Sequence, residues 1–193
     1  MNDKEMQCRA LSCTAWGYFF LTFNIHIGTV GILPGFVGFL LLLYAIHLLS
    51  EEHRKPLLLC MLCIFLAAIG IIDWFLSILG RGLDGRFLVL DLLAAVAGLY
   101  FHFRFLTDIA ALAETCPDDG KAFAVKIRRC RTAYILLHIM ASVCSALSKV
   151  QASTRFWSGA ALFLSLACVV VCLLLMAALF GLRKRFLKML NGA

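Results

Sequence analysis

Residues 156–182 read FWSGAALFLSLACVVVCLLLMAALFGL and contain no charged side chain. A second run, 56–80, contains a single charge, Asp73. An α-helix needs about 20 apolar residues to cross the hydrocarbon core of a bilayer, which is about 30 Å thick. Because backbone polar groups in lipid must be bonded within their own segment, both runs predict transmembrane helices.

The composition of the whole chain agrees with these two runs. Of its 193 residues, 63% are hydrophobic and 15% are charged, and the mean hydropathy is +0.94. A soluble domain is about half apolar and about a quarter charged. The chain is therefore expected to form one integral-membrane domain over residues 1–193.

Working outward from these runs, six apolar segments can be distinguished. They lie at about 14–33, 35–50, 57–79, 87–107, 132–148 and 156–181. They predict an all-α, polytopic transmembrane helix bundle of six helices. Between the fourth and fifth segments, Pro117 and Gly120 predict a turn, and 121–131 is expected to form a basic amphipathic helix that leads into the fifth segment.

The Lys and Arg residues predict the orientation, because cytoplasmic flanks carry an excess of positive charge. With six spans, thirteen Lys and Arg residues fall on the side of the termini and four on the other side. The four are Arg81, Arg86, Lys149 and Arg155. The chain is therefore expected in a bacterial inner (plasma) membrane, with both termini on the cytoplasmic side.

The first two segments leave an alternative open. If 14–50 formed a re-entrant hairpin, the chain would span four times and the charge count would not change. The stretch 35–49 would extend about 22 Å as a helix, less than the hydrocarbon core. Pro34 suits the first turn of that helix. Six spans with an irregular first hairpin is the favoured interpretation.

This hairpin also carries a resemblance. Ile25-His-Ile-Gly28, followed by Ile32-Leu-Pro-Gly-Phe-Val-Gly-Phe-Leu40, resembles a pattern near the N-terminus of a family of small, uncharacterised bacterial polytopic membrane proteins. The chain departs from it at His26, where the family has Asn, and at Gly35, where it has Asp. The resemblance implies a bacterial membrane protein and transfers no site.

Polar residues within the apolar segments suggest a candidate site. In the six-span arrangement four of them fall at a similar depth in the outer half: Asn24, His26, Asp73 and Asp91. Ionisable groups inside a membrane commonly mark proton or ion sites, so these four are a candidate proton or cation site. The alternative is local pairing of the two aspartates with Arg81 and Arg86 at the outer surface.

Small and polar residues also recur every three or four positions along the last four segments, which places them on one helix face. The stripes are Cys63, Ala67, Gly70, Asp73, Ser77; Asp91, Ala95, Gly98, His102; Tyr134, His138, Ser142, Ser145, Lys149; and Ser158, Ala161, Ser165, Cys168, Cys172. Small residues let membrane helices approach closely. The stripes are expected to be packing faces.

No complete catalytic, metal or cofactor motif is present. Nine cysteines are scattered along the chain, and Cys60 and Cys63 have the spacing of a metal or redox pair without a second pair nearby. They are interpreted as small apolar packing residues. The sequence predicts no enzyme activity, no metal and no cofactor.

The net charge of +7 arises from the segments expected in the cytoplasm. Seven of these basic residues are candidates for contact with anionic lipid head groups: Lys126, Arg128, Arg129, Arg131, Arg183, Lys184 and Arg185. Nucleic acid is not an expected partner, since no binding module accompanies the basic residues.

Three functional hypotheses follow, of which a membrane-embedded enzyme is the least favoured because no catalytic set is complete. The favoured one is a structural or accessory membrane protein that packs against a membrane protein partner or a second copy. The alternative is a small proton- or cation-coupled carrier that uses the outer polar site.

Overall fold

The computed structural model describes residues 3–23, 26–27, 30–31, 34–50, 57–79, 88–117, 119–150 and 154–191. Six helices account for nearly all of them, which confirms the predicted all-α bundle. They are α1 Asp3–Thr22, α2 Gly35–Ser50, α3 Leu57–Ile78, α4 Leu88–Glu114, α5 Gly120–Val150 and α6 Thr154–Asn191.

The region between α1 and α2 departs from the predicted helix over 14–33. Helix α1 ends at Thr22, and two short strands follow, β1 (His26–Ile27) and β2 (Val30–Gly31). They pair antiparallel, with His26 opposite Gly31. Glycine and β-branched residues disfavour a helix here, so the first helix is shorter than the segment 14–33 and the hairpin is irregular, as the favoured interpretation expects. The depths of Asn24 and His26 were calculated from the rise of a straight helix through 14–33, and His26 lies in a strand instead.

The start of α2 agrees with the sequence. Pro34 immediately precedes the helix, and the Val37 N–H donates to its carbonyl oxygen over 3.0 Å. Helices α1 and α2 then cross where Gly17 faces Gly38. A Cβ atom on Gly38 would lie 2.7 Å from the Gly17 carbonyl oxygen, so glycine is required for this close approach.

The connection between α4 and α5 confirms both predictions made for it. Helix α5 begins at Gly120, where a Cβ atom would collide with the Ala113 carbonyl oxygen. The basic segment 121–131 is helical and continuous with the rest of α5. Its inward face buries Ile127 and Cys130, as their helical spacing predicts.

The six helices are arranged in a ring in chain order. Each packs against the next, and α6 packs against α1 and closes the ring. The strand β2 lies against α3. Side chains on the inward faces therefore converge on one central region.

The ring is packed much more tightly at one end than at the other. The packed end holds the buried side chains, which fall within 7–18, 42–48, 59–67, 101–116, 124–134 and 168–186. The open end comprises 68–79, 89–100, 136–143 and 156–167, and no side chain in these four stretches is buried. Large apolar residues such as Phe75, Leu92 and Phe163 are exposed there.

Charged residues are also concentrated at the packed end. All four ion pairs found among the described residues lie there, and two of them join different elements: Arg128 with Glu114, and Arg185 with Asp119. The other two, Arg9 with Glu5 and Arg104 with Asp108, lie within single helices.

Within the described residues, three stretches of helix are long and apolar enough to cross a membrane, namely Leu57–Ile78, Val89–Glu114 and Phe156–Leu190. Helix α2 is apolar but shorter, with 16 residues.

Candidate functional site

A polar and aromatic cluster lies at the centre of the ring, where the packed end meets the open end. The Tyr18 hydroxyl of α1 and Nδ1 of His102 in α4 are 3.1 Å apart and share a hydrogen bond. Tyr18 is fully buried, and His102 is 8% exposed. The proton lies on either partner, depending on the imidazole tautomer.

Aromatic rings enclose this hydrogen bond. The Tyr134 ring of α5 lies 5.5 Å from the His102 ring and 6.2 Å from the Tyr18 ring, between centroids. The Phe39 ring of α2 stacks on His102 at 6.3 Å. The imidazole on α4 thus lies between helices α1, α2 and α5, against the rings of Tyr18, Phe39 and Tyr134.

Two thiols connect the remaining helices to the cluster. Cys172 of α6 donates to the Tyr18 carbonyl oxygen over 3.5 Å and accepts from the Thr22 hydroxyl over 2.9 Å. Cys63 of α3 donates to the Phe39 carbonyl oxygen over 3.1 Å. Every helix of the ring therefore contributes at least one member, and the Tyr18 hydroxyl, Nδ1 of His102 and the two thiols are bonded across helices.

Along α5, one more aromatic ring continues from the cluster toward the open end. The ring of His138 lies parallel to that of Tyr134, 6.1 Å away between centroids, and the His138 side chain is exposed. An imidazole can change its charge near neutral pH and a phenol does not, so His102 and His138 are the groups of the cluster with the chemistry to take up a proton. Below the cluster, Phe105 and Ile109 are fully buried and fill the packed end.

Six of the nine cysteines are buried in the ring. All nine are free thiols. Among the residues that the structure describes, no three His, Cys, Asp or Glu side chains lie close enough to hold a metal ion. Outside the apolar segments, burial raises the pKa of the Cys8 thiol, while Arg183 lowers it and Glu5 raises it. Burial likewise raises the pKa of Cys130 against an opposing effect of Lys126.

The residues predicted for the outer polar site are not seen to converge. Asn24 lies outside the described residues, and His26 is described only through its backbone pairing in β1. Asp73 is half-buried on α3, whereas Asp91 is exposed in the first turns of α4. The hairpin that carries His26 touches α3 through β2. The four-residue site stays a prediction.

The basic residues predicted to contact lipid fall into two groups. Arg128 and Arg185 are paired with carboxylates at 2.7 and 2.6 Å. The Arg131 Nη1 donates to the Thr107 hydroxyl over 2.6 Å, with its guanidinium 4.3 Å above the Phe103 ring. In contrast, Lys126 and Arg129 are exposed and form no ion pair within the described part of the chain.

Arg183 and Lys184 occupy the same end of α6. The Arg183 side chain is partly buried, its carbonyl oxygen accepts from the Cys8 thiol over 3.9 Å, and its Nε atom is buried without a hydrogen-bond partner. Lys184 is exposed.

The central cluster was not predicted as a site, although most of its members were assigned to predicted packing faces. His102, Tyr134, Cys63 and Cys172 all belong to the predicted stripes. Tyr18 was missed because no stripe was assigned to the first segment, 14–33. The helical spacing of Leu11, Ala15 and Tyr18 in the sequence indicates this face, and all three residues are buried in the structure.

Comparison with known proteins adds no assignment. The chain matches no protein-family model, no curated protein and no solved structure. The resemblance of the hairpin to small bacterial membrane proteins therefore stays a prediction.

Proposed function

We propose that this chain is a multi-pass integral protein of a bacterial plasma membrane with a structural or accessory role and no chemistry of its own. The observation that carries the proposal is the contrast between the two ends of the ring. At the open end large apolar side chains are exposed and none is buried, whereas the packed end has a buried interior and carries all four ion pairs of the described residues on its surface. Acyl chains suit the first surface, and water suits the charged part of the second.

Helix length supports the same placement. Helix α5 has 31 residues and α6 has 38, which correspond to about 46 Å and about 57 Å at ~1.5 Å per residue. Both exceed a hydrocarbon core of about 30 Å. The two helices therefore extend beyond the membrane at the packed end, and the positive-inside rule places that end in the cytoplasm together with both termini.

The interior of the packed end favours a structural role over transport. Leu11, Ile127 and Leu179 are fully buried between the helices, and they close the ring below the central cluster. On the outside of α6, the exposed residues Ser158, Gly159 and Ser165 offer a surface that a helix of a partner protein, or of a second copy, could approach closely.

The number of spans can be tested by labelling. A cysteine introduced at Leu33 is expected to react with a membrane-impermeant maleimide from the periplasmic side, above the background of the parent chain. Protection of this position from the outside, together with cytoplasmic access at both ends of 14–50, would replace six spans with four spans and a re-entrant hairpin.

A proton- or cation-coupled carrier is the second candidate. It is favoured by one contact, that of β2 with α3, which brings the hairpin containing His26 to the helix containing the half-buried Asp73. The expected signature is an ion flux in proteoliposomes that Asp73→Asn abolishes. Asp108→Asn is the matched control, because Asp108 pairs with Arg104 on its own helix at the packed end. Equal flux in the two variants would reject the carrier.

A further inference from the structure

The outward face of α5 carries a shallow groove of about 520 Å³ that is basic at one end and apolar at the other. Its lining residues follow one another at helical spacing: Val125, Arg128, Arg129, Thr132, Ala133 and Leu136. A second hollow adjoins it at Val125 and Arg129 and includes Lys126. No other part of the described chain covers this face.

The charges in the groove are unevenly compensated. Arg128 is bonded to Glu114 over 2.7 Å. Asp119, the only carboxylate that lines the second hollow, is bonded to Arg185 over 2.6 Å. Arg129 and Lys126 have no such partner among the described residues. The basic end of the groove therefore presents two cations that an anion could neutralise.

Depth explains why the two ends of the groove differ. This step rests on the proposed membrane placement. If the far end of α5 reaches the outer boundary of a hydrocarbon core about 30 Å thick, a rise of ~1.5 Å per residue puts residue 130 near the inner boundary. Arg129 then lies at the level of lipid phosphates, and Leu136 lies about 10 Å deeper, among acyl chains.

We propose that this groove binds one anionic phospholipid, with the phosphate at Arg129 and an acyl chain along Ala133 and Leu136. A soluble anion would not use the apolar half. A second copy docked by the same face would place like charges opposite each other, because Arg129 and Lys126 would face their own counterparts. An anionic lipid matches both halves of the groove, because its phosphate lies at the depth of Arg129 and its acyl chains lie at the depth of Leu136.

The test is native mass spectrometry of the full chain in detergent with phosphatidylglycerol or phosphatidylcholine of the same acyl chains. The parent chain is expected to retain phosphatidylglycerol preferentially. Arg129→Gln is expected to weaken retention roughly fivefold, since one basic residue near an anionic surface contributes ~1 kcal/mol. Leu136→Asn is expected to weaken retention of both lipids.

Lys188→Gln is the matched control, because it removes one exposed charge from the same end of the molecule on α6 and is expected to leave retention unchanged. An equal loss in Arg129→Gln and Lys188→Gln would overturn the site, as would no loss in Arg129→Gln. The site would also be overturned if glycerophosphate at equal concentration displaced the lipid, or if the chain formed a dimer that covers the groove.

Failure of the lipid site is distinguishable from failure of the membrane placement. A cysteine at Leu136 that reacts with an impermeant aqueous maleimide would show that α5 does not enter the bilayer there. A protected cysteine at Leu136 combined with unchanged retention in Arg129→Gln would reject the lipid site alone.

Discussion

The packed end and the open end of the ring are built from the same six helices and differ in how their side chains are buried. At the packed end the inward faces are buried, as in a water-soluble bundle. At the open end, Phe75 and Phe163 are 57% and 70% exposed. Under the proposed placement this difference follows from a change of solvent along the ring: apolar burial is driven by water, and between helices in lipid this driving force is missing.

The largest expected effect comes from truncating one phenylalanine at each end. Phe105 is 1% exposed at the packed end, and Phe163 is 70% exposed at the open end. Phe105→Ala is expected to lower the free energy of unfolding by about 3–5 kcal/mol, because it removes buried apolar area and leaves a cavity. Phe163→Ala should change it by less than about 0.5 kcal/mol. Denaturant unfolding in a mild detergent measures both, and similar losses would erase the distinction between the ends.

The next effect concerns the crossing of α1 and α2. Gly38→Ala is expected to cost about 1–3 kcal/mol, because its Cβ atom would press on Gly17 and Leu21 and overpack the crossing. Gly159→Ala is the control at the open end, where nothing lies within 4 Å of an added Cβ. It should be neutral or slightly stabilising, since alanine favours helices. A neutral Gly38→Ala would mean that the helices do not approach this closely.

A comparable effect is expected at the central cluster, between the two ends. Tyr18→Phe removes the hydroxyl that bonds His102 and should destabilise the chain by about 1–3 kcal/mol, because it leaves a buried imidazole nitrogen without its partner. Tyr44→Phe at the exposed surface of α2 should be close to neutral. The same unfolding measurement compares them, and equal midpoints would show that the hydrogen bond does not join α1 to α4.

The smallest effect is expected for the ion pair between Arg185 and Asp119. Both side chains are more than 40% exposed, so solvent screens the pair and its coupling free energy should not exceed about 1 kcal/mol. A double-mutant cycle with Arg185→Gln and Asp119→Asn measures this term, and it should shrink in high salt. A coupling of several kcal/mol would place this pair in a less polar environment than the water proposed here.

Much of the ring could be predicted from the sequence, because helix formation is local. The apolar runs, Pro34 before α2 and the helical spacing of Ile127, Cys130 and Tyr134 each depend on neighbouring residues only. The end of α1 was misplaced because apolar side chains in 23–33 hid residues with poor helix propensity. That stretch is apolar enough for a span and still contains a β pairing.

The central cluster could not be predicted in the same way. Each stripe shows which face of a helix packs, but not which face of another helix it meets. Tyr18 and His102 are 84 positions apart in the chain, and their contact depends on the ring closing between α6 and α1. The outer polar site was inferred from depth along straight helices, and the hairpin removes that basis for Asn24 and His26.

The central claim is that the charged ends of α5 and α6, at the packed end, stand in cytoplasmic water and the open end in lipid. The most direct test places one cysteine at Val125, on the outside of the packed end, and another at Leu166, on the outside of the open end. In membrane vesicles, the account predicts that an impermeant maleimide labels Val125→Cys in inside-out vesicles only and Leu166→Cys in neither orientation. Aqueous labelling of Leu166→Cys, or labelling of Val125→Cys from the outside, would contradict it.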